Sequence, residues 1–290
     1  MKRINILTFY IFTMLIPISI IASPLTLTYH SADNNKDVRK HYEIEILTLA
    51  LEKTKNKYGD YKLIPSKKMT IKRAAYNLRK NKIKNFILKD SVKNKYLDEF
   101  SFANFPVDRG IVGYRVSFIS PKMKEKINDI KSLEQLKTLK IAQGVGWLDT
   151  DILKVNGFNV SIIANYSSFF RMLTLNRIDL FPRGINEVLE EYNSYKYLDK
   201  LDYDKTFAIY YPLPRFFFMN KKNKEITKRI EKGLKIAYYD GSLNKLFKKY
   251  YQPSIDFVNI KQRKIYKINN PFLINIDKSY EKYNYHFLIK

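Results

Sequence analysis

One arginine stands where an α/β protein is expected to bind an anion. Arg183 directly follows the strand-like run 178–181 and precedes a stretch with helical spacing. In open α/β sheets, ligands bind at the carboxyl ends of the strands. A guanidinium at that edge can clamp a carboxylate or a phosphate through two parallel hydrogen bonds. The alternative is a salt bridge to a nearby acid, such as Glu187 four residues later.

A second candidate is the sequence Gly-Val-Gly-Trp, which leads into a predicted helix. Backbone N–H groups at a helix N-terminus attract anions, so Gly144 and Gly146 are predicted to contact a ligand. Asp149 lies in the same first turn, where it repels an anion but can receive the cationic group of a zwitterion. Trp147 is the only tryptophan, and it either stacks on a ligand or packs in the core.

Three further residues stand at predicted strand ends or crossovers. His30 ends the first predicted strand, again at a carboxyl edge. Arg109 stands before Gly110 at the first predicted crossover, and Arg215 lies in the second. Each of these arginines either lines a ligand cleft or braces the hinge.

No pattern of residues predicts a metal site or a catalytic centre. The three histidines lack the spacing of metal ligands. The chain has no nucleophile elbow, no Walker loop and no GxGxxG sequence. We therefore predict no metal, no cofactor and no catalytic residue. If the chain is nevertheless an enzyme, His30 and Asp149 are the acid/base candidates.

The composition predicts a globular chain with a basic surface. The 290 residues include 53 Lys+Arg and 28 Asp+Glu, giving a formal charge of +25, and no cysteine. A hydrophobic content of 45% argues against disorder as the main state. The lack of cysteine excludes disulfides, thiolate nucleophiles and iron–sulfur ligation. The basic residues are spread along the chain and no nucleic-acid-binding motif is present, so we expect no nucleic acid.

The N-terminus has the layout of a secretory signal peptide. Lys2 and Arg3 precede an uncharged run over 4–21, and Ala22 supplies a small residue at its end. We predict a signal peptide over 1–22, cleaved after Ala22. An uncleaved anchor is the alternative, but polar residues and a proline interrupt the run, and a span needs roughly 20 apolar residues. Without a cysteine to carry a lipid, the exported chain is expected to be free in the periplasm.

Strands alternate with helices along most of the chain, which predicts an α/β fold with parallel pairing. The first series of elements is predicted at 25–30, 41–54, 61–65, 70–80 and 86–88. The second series is predicted at 139–142, 149–156, 160–163, 167–176 and 178–181. Within it, Ser167 is predicted to cap a helix and Pro182 to break the last strand. Two terminal helices are predicted, of which Pro253 stops the second.

Two extended runs, 111–119 and 208–219, separate the two series. The second run contains two prolines, which exclude a central strand and suit a crossover. We therefore predict two α/β units joined by two crossovers, with one unit built from both ends of the chain. A cleft between two such lobes is a natural site for a small molecule.

The predicted lobes divide the chain after the signal peptide. The first lobe is predicted to comprise 23–115 and 212–290, and the second lobe 116–211. Residues 263–290 form a C-terminal tail rich in Tyr, Asn and Lys. This tail either wraps one lobe or is a loose extension.

The segment 224–251, KEITKRIEKGLKIAYYDGSLNKLFKKYY, contains a helix, a DG-[ST] break and a second helix ending in aromatic residues. Together with the order of lobes and crossovers, it resembles the type II periplasmic solute-binding proteins. More specifically, it resembles the family 3 group, which includes amino-acid receptors of ABC transporters. The resemblance covers nearly all of the chain after residue 22. It implies a two-lobed α/β fold in which two parallel or mixed sheets are joined by two hinge crossovers.

The resemblance is incomplete at the ligand site. Amino-acid receptors of this group carry an Arg after the third strand that grips the α-carboxylate, whereas 89–95 contains none. Their Gly-Thr at the second-lobe helix is replaced by residues 144–147, Gly-Val-Gly-Trp. Their Asp for the ligand ammonium is replaced by Arg183. The set that recognises α-amino acids is therefore not intact, and the chain resembles a divergent branch.

The resemblance implies a monomeric periplasmic protein that closes two lobes over a small polar, anionic or zwitterionic solute. Hinge motion is expected near 110–119 and 208–218. An ABC permease or a membrane sensor would then read the closed form. Two alternatives stay open. One is a periplasmic enzyme similar to the dehydratases of this fold, and the other is a basic protein that binds an anionic polymer or a membrane surface.

Overall fold

The computed structural model describes residues 23–31 and 38–287. The predicted signal peptide, residues 1–22, lies outside these ranges. Within them, no helix is both long enough and apolar enough to cross a membrane.

The strands of the described residues form two separate sheets. They are β1 Leu25–Tyr29, β2 Tyr61–Pro65, β3 Phe86–Ser91, β4 Phe100–Phe102, β5 Tyr114–Ile119, β6 Ile141–Gly144, β7 Val160–Ile163, β8 Leu180–Gly184, β9 Asp202–Tyr203, β10 Phe207–Tyr210, β11 Arg215–Asn220 and β12 Lys264–Lys267. The first sheet has the order β2-β1-β3-β11-β4. The second has the order β12-β10-β5-β8-β6-β7, with β9 beside β5.

Helices connect and flank these strands. They are α1 Val38–Glu52, α2 Lys55–Tyr58, α3 Ile71–Arg79, α4 Asn94–Glu99, α5 Met123–Lys126, α6 Leu133–Thr138, α7 Leu148–Val155, α8 Tyr166–Thr174, α9 Val188–Tyr195, α10 Lys224–Tyr239 and α11 Ser242–Val258. β1 pairs in parallel with both β2 and β3, and β6 pairs in parallel with β7 and β8. The predicted α/β class with two mixed sheets is therefore confirmed.

Two crossovers carry the chain between the sheets. The first is 103–113, between β4 and β5, and the second is 211–214, between β10 and β11. The extended run predicted over 208–219 is thus two strands that belong to different sheets. The crossovers lie side by side, because the Tyr211 N–H donates to the Gly113 carbonyl at 3.2 Å.

The C-terminal tail differs from its prediction. The sequence predicts that residues 212–290 belong to the first lobe. In the structure, β12 instead pairs in parallel with β10 at the edge of the second sheet. Farther along, Tyr280 packs edge-on against Phe216 of the first sheet, with ring centroids 5.3 Å apart. The tail therefore contacts both lobes. The other predicted lobe boundaries stay predictions.

Three local predictions are corrected by tertiary structure. Helix α8 is capped by Asn165, whose side chain accepts from the Ser167 N–H, and not by Ser167. β8 continues through Pro182, which has no backbone N–H to donate. On the side of β6, β8 pairs only at Leu180, so the missing N–H costs no hydrogen bond there. α11 continues through Pro253, because its last turns are held by packing against the second lobe.

The first lobe depends on close packing of α1 against α10. Ala50 and Leu234 are fully buried between them. Gly233 faces the Ala50 carbonyl so closely that a Cβ at this position would overlap it. Glycine therefore sets the distance between the helices that brings both ends of the chain into one lobe.

Candidate functional site

Arg183 lies at the carboxyl end of β8, as predicted, but its guanidinium forms ion pairs with Glu187 and Glu191. It is 5% exposed. Its Nε donates to Glu191 Oε2 at 2.8 Å, and its Nη2 donates to Glu191 Oε1 at 2.7 Å and lies 3.1 Å from Glu187. Burial alone would lower the pKa of Arg183, but the two carboxylates outweigh it and hold the pKa well above its usual value. The salt bridge considered as the alternative is present, and Arg183 is a structural ion-pair residue rather than an open clamp.

Aromatic rings surround the Arg183 guanidinium. Its Cζ lies 5.0 Å from the Trp147 ring centroid and 5.2 Å from that of Phe181. Trp147 in turn stacks on Phe169 at 5.7 Å, and its indole packs directly on Gly144. Trp147 is half-buried, so most of its surface serves the second-lobe core. The structure thus favours the packing alternative for Trp147.

Asp149 is also paired, with two residues that the sequence analysis did not select. Arg115 on β5 is 2% exposed, and its Nη2 lies 2.5 Å from Asp149 Oδ1. The Tyr211 hydroxyl donates to the same carboxylate. Burial, together with the Asp149 charge, raises the pKa of Tyr211 well above its usual value. An arginine inside the apolar run 112–119 was the sequence signal for this cluster.

Several buried polar atoms beside this cluster have no hydrogen-bond partner among the described residues. They are Arg115 Nε, Gln143 Oε1, Ser117 Oγ and both amide atoms of Asn186. Ser117 pairs with Pro182 and Arg115 with Gly184, so these positions share one face of the sheet. A Cβ on Gly184 would lie 2.6 Å from Asn186 Oδ1 and 3.3 Å from Arg115 Nη1. The second lobe therefore presents donors and acceptors that can still bond a polar molecule.

The loop between β6 and α7 faces the first lobe. Gly146 and Val145 are exposed. The side chain of Lys72, on α3 of the first lobe, lies against Gly146, with its Cε 3.3 Å from where a Cβ would stand. The predicted Gly-rich helix start is therefore at the boundary between the lobes, together with a cation that the sequence analysis missed.

A second charge cluster lies at the facing edge of the first lobe. Lys89 Nζ donates to Asp108 Oδ1 at 3.3 Å and lies 3.7 Å from Glu43. Arg215 begins β11 beside Ser91, at the carboxyl end of β3, and its Nη1 is 3.8 Å from Asp108 Oδ2. This Asp108 oxygen is buried without a hydrogen-bond partner in the described structure. Arg215 is the predicted arginine that keeps part of its surface exposed at this edge.

His30 is at the predicted carboxyl edge but has no free ring nitrogen. It is 4% exposed. Its Nε2 lies 2.7 Å from the Met69 carbonyl, which only accepts, so this nitrogen carries the proton. Its Nδ1 then accepts from Lys40 Nζ at 3.3 Å. Asp149 is also paired, so both acid/base candidates are bonded to protein groups in this arrangement.

Arg109 is held at the first crossover by the C-terminal helices and the tail. Its Nε donates to the Tyr283 carbonyl at 3.2 Å and its Nη1 to Asn244 Oδ1 at 2.8 Å. Its guanidinium lies 5.1 Å from the Phe247 ring centroid and 5.3 Å from that of Tyr285. Burial lowers the pKa of Arg109. Its contacts are with the C-terminal helices and tail.

Helix α11 brings the two clusters together. The Tyr251 hydroxyl donates to Asp108 of the first cluster at 3.3 Å. One turn later, the Ser254 hydroxyl donates to the carbonyl of Ile185, the residue before Asn186. Asp108 of the first lobe and the Ile185 carbonyl of the second lobe are therefore bonded to positions one turn apart on α11. No group of three or more His, Cys, Asp or Glu that could hold a metal is found in 23–31 and 38–287.

Comparisons with known proteins support the fold. No family model matches the chain, and no curated protein sequence matches it. A probable amino-acid ABC transporter extracellular-binding protein of Bacillus subtilis, YtmK, is 14% identical over 79% of this chain and 98% of its own, with a TM-score of 0.59. An ancestral arginine-binding protein bound to arginine is 17% identical over 80% of this chain and 99% of its own, with a TM-score of 0.56.

A third solved structure connects this fold to an enzyme. It is an ancestral amino-acid-binding protein described as a precursor of cyclohexadienyl dehydratase. It is 16% identical over 78% of this chain and 95% of its own, with a TM-score of 0.55. The resemblance expected from the sequence is confirmed at the level of architecture: the chain has the two-lobed α/β fold of these binding proteins.

Proposed function

We propose that the chain is a solute-binding protein that closes its lobes over a small polar solute, anionic or zwitterionic. One observation carries the proposal: each lobe contains buried polar atoms that have no hydrogen-bond partner among the described residues. They belong to Arg115, Gln143 and Asn186 in the second lobe and to Asp108 in the first. In proteins, such atoms are normally satisfied, and a bound polar ligand satisfies them.

The chemistry of these atoms favours a zwitterion. Arg115 Nε and the Asn186 amide nitrogen are donors that suit a carboxylate. Asp108 Oδ2 and Asn186 Oδ1 are acceptors that suit an ammonium group. Lys72, against Gly146, supplies a further cation at the lobe boundary. This set replaces the recognition residues that are missing from the sequence.

An ABC permease or a membrane sensor is the proposed partner. Solute binding shifts the lobes towards the closed form, and the partner distinguishes that form from the open one. The proposal includes export to the periplasm, as a monomer. The solved structures of similar fold include a probable extracellular-binding protein of an ABC transporter, which supports this assignment.

Native mass spectrometry of the protein isolated gently from its source cells tests the proposal. We expect a bound molecule of low mass that is released by mild denaturation, and whose mass identifies the solute class. A protein that carries no such molecule, and whose melting temperature no amino acid or small carboxylate raises, would contradict the proposal.

A pair of asparagine variants tests the site. Asn186→Ala removes both partnerless amide atoms and should abolish the rise in melting temperature caused by the identified solute. Asn193→Ala changes an exposed asparagine on α9 and should leave that rise intact. Equal responses of the two variants would show that the solute binds elsewhere.

A further inference from the structure

The C-terminal tail passes over both crossovers. After β12, the Ile268 N–H donates to the Tyr210 carbonyl at 2.9 Å, and the Asn270 side chain donates to the Pro212 carbonyl at 2.8 Å. These contacts hold the tail against the second crossover, 211–214. The tail then leaves the second lobe.

The middle of the tail is held on the first lobe. The Asn94 N–H donates to the Phe272 carbonyl at 3.2 Å, and the Ile274 N–H donates to Asn94 Oδ1 at 3.1 Å. Ile276 and Tyr280 are buried in the same lobe. The tail is therefore an ordered, packed segment and not a loose extension.

The end of the tail is held on the first crossover. The Tyr285 N–H donates to the Arg109 carbonyl at 2.7 Å, while Arg109 Nε donates to the Tyr283 carbonyl at 3.2 Å. Arg109 and Gly110 both have positive φ, +49° and +74°, so the chain turns sharply where the tail meets it. A Cβ on Gly110 would lie 2.7 Å from Asn284 Oδ1, and its positive φ already favours glycine over any other residue.

The last described residue returns to the second lobe. The Phe287 ring packs edge-on against Tyr114, the first residue of β5, with centroids 4.9 Å apart. The tail thus runs from the second lobe over one crossover to the first lobe, and then over the other crossover back to the second. A movement of one lobe relative to the other requires these contacts to break or to move with it.

We propose that residues 268–287 act as a strap that restrains the opening of the lobes, with Arg109 as its anchor. The two crossovers alone are flexible connections about which two lobes can rotate. The strap adds a third connection, and it holds the polypeptide at the points where that rotation occurs. It therefore sets the balance between open and closed forms of the ligand-free protein, and Arg109 is a positioning residue that holds the end of the strap.

The lack of cysteine makes the test direct. Lys80→Cys in the first lobe and Lys154→Cys in the second introduce two exposed thiols for spin labels. Double electron–electron resonance then gives the distribution of distances between the lobes without any ligand. The measurement does not depend on the solute, so its failure is distinct from a failure of the proposed function.

Two variants remove contacts of the strap, and a third variant is the control. A chain ending at Asn284 lacks Tyr285 and Phe287, and Arg109→Gln removes the anchoring cation. A chain ending at Phe287 keeps every strap contact that the structure describes. We expect the first two to shift or broaden the distribution by more than about 2 Å, and the control to match the full chain.

Each outcome decides the proposal. Distributions in the shortened chain and in Arg109→Gln that match the full chain would overturn it. If circular dichroism shows that the chain ending at Asn284 does not fold, the proposal is tested by comparing the distance distribution of Arg109→Gln with that of the full chain. A change in the control as large as in the released variants would also overturn it, because the strap contacts would then not be the cause.

Discussion

Charged side chains at the facing edges of the lobes are largely paired within each lobe. Arg183 with Glu191, Arg115 with Asp149, and Lys89 with Asp108 are each buried. A buried charge is costly unless a partner lies close to it, so each pair depends on both members. The groups left for a ligand are therefore mostly neutral amides and single atoms of paired charges.

Glu191→Gln should destabilise the protein because Arg183 would lose its two-point partner. Glu187 stays near Arg183, at 3.1 Å, but the Tyr166 hydroxyl loses a charged acceptor as well. We expect a loss of about 3 kcal/mol in the free energy of unfolding, measured by urea denaturation. Glu225→Gln, which removes an exposed pair with Lys228, should cost less than about 1 kcal/mol. Equal losses of unfolding free energy in the two variants would show that burial of an ion pair does not determine its contribution to stability.

The carboxylate of Asp240, between α10 and α11, gives a prediction for acidic pH. Hydrogen bonding from Lys53 and Ser242 lowers the pKa of Asp240 to about 2 from 3.8. Because the pKa of Asp240 is depressed in the folded state, its ionised carboxylate stabilises the fold fully at pH values above the pKa of the unfolded chain. This stabilisation is lost as the pH falls through the pKa of the folded state. The stability difference between wild type and Asp240→Asn should therefore hold at neutral pH and shrink between pH 4 and pH 2. A difference that stays constant down to pH 2 would contradict this assignment.

At the scale of elements, hydrophobic periodicity predicted most of the strands and helices. It failed where tertiary packing overrides a local rule. Pro182 lies inside β8, where its missing N–H costs no bond to β6, and Pro253 lies inside α11, whose last turns are held against the second lobe. β12 had no detectable pattern, because four residues at a sheet edge carry too little periodicity.

The sequence predicted which elements carry the candidate residues but not how their charges pair. Arg183 is at the carboxyl end of β8 and Gly146 lies just before α7, as expected, because topology fixes where parallel strands end. Their contact with a solute stays a prediction. Which charges pair with each other depends on contacts distant in sequence, such as that between Arg115 and Asp149. An arginine in an apolar strand is the sequence feature that best indicates such a buried pair.

Gly233→Ala should separate α1 from α10. The added methyl would overlap the Ala50 carbonyl, so the helices must shift. We expect a loss of about 1–3 kcal/mol in the free energy of unfolding, measured by chemical denaturation. Lys232→Ala, at the exposed neighbouring position, should change stability by less than about 0.5 kcal/mol. A neutral Gly233→Ala variant would show that the helix interface is not tightly packed.

At the scale of the whole molecule, the lobes are interlinked. The first sheet includes β11 from the second half of the chain, and β12 returns to the second sheet. α11 contacts both lobes through Tyr251 and Ser254. Neither lobe is a continuous segment that can unfold without disturbing the other.

Thermal unfolding should therefore be a single cooperative transition. Differential scanning calorimetry should give one peak whose calorimetric and van't Hoff enthalpies agree. The chain that ends at Phe287 should behave in the same way, because it keeps the strap. Two resolved peaks for the full chain would show that the lobes unfold independently.

The position of β11 also governs the order in which the first sheet can form. β11 lies between β3 and β4, so β3 has no antiparallel neighbour until residues 215–220 have been synthesised. The last edge strand of the other sheet, β12, is made later still. Each sheet is therefore completed only by a late segment of the chain, and residues far apart in sequence must meet before the apolar faces of the early strands are covered.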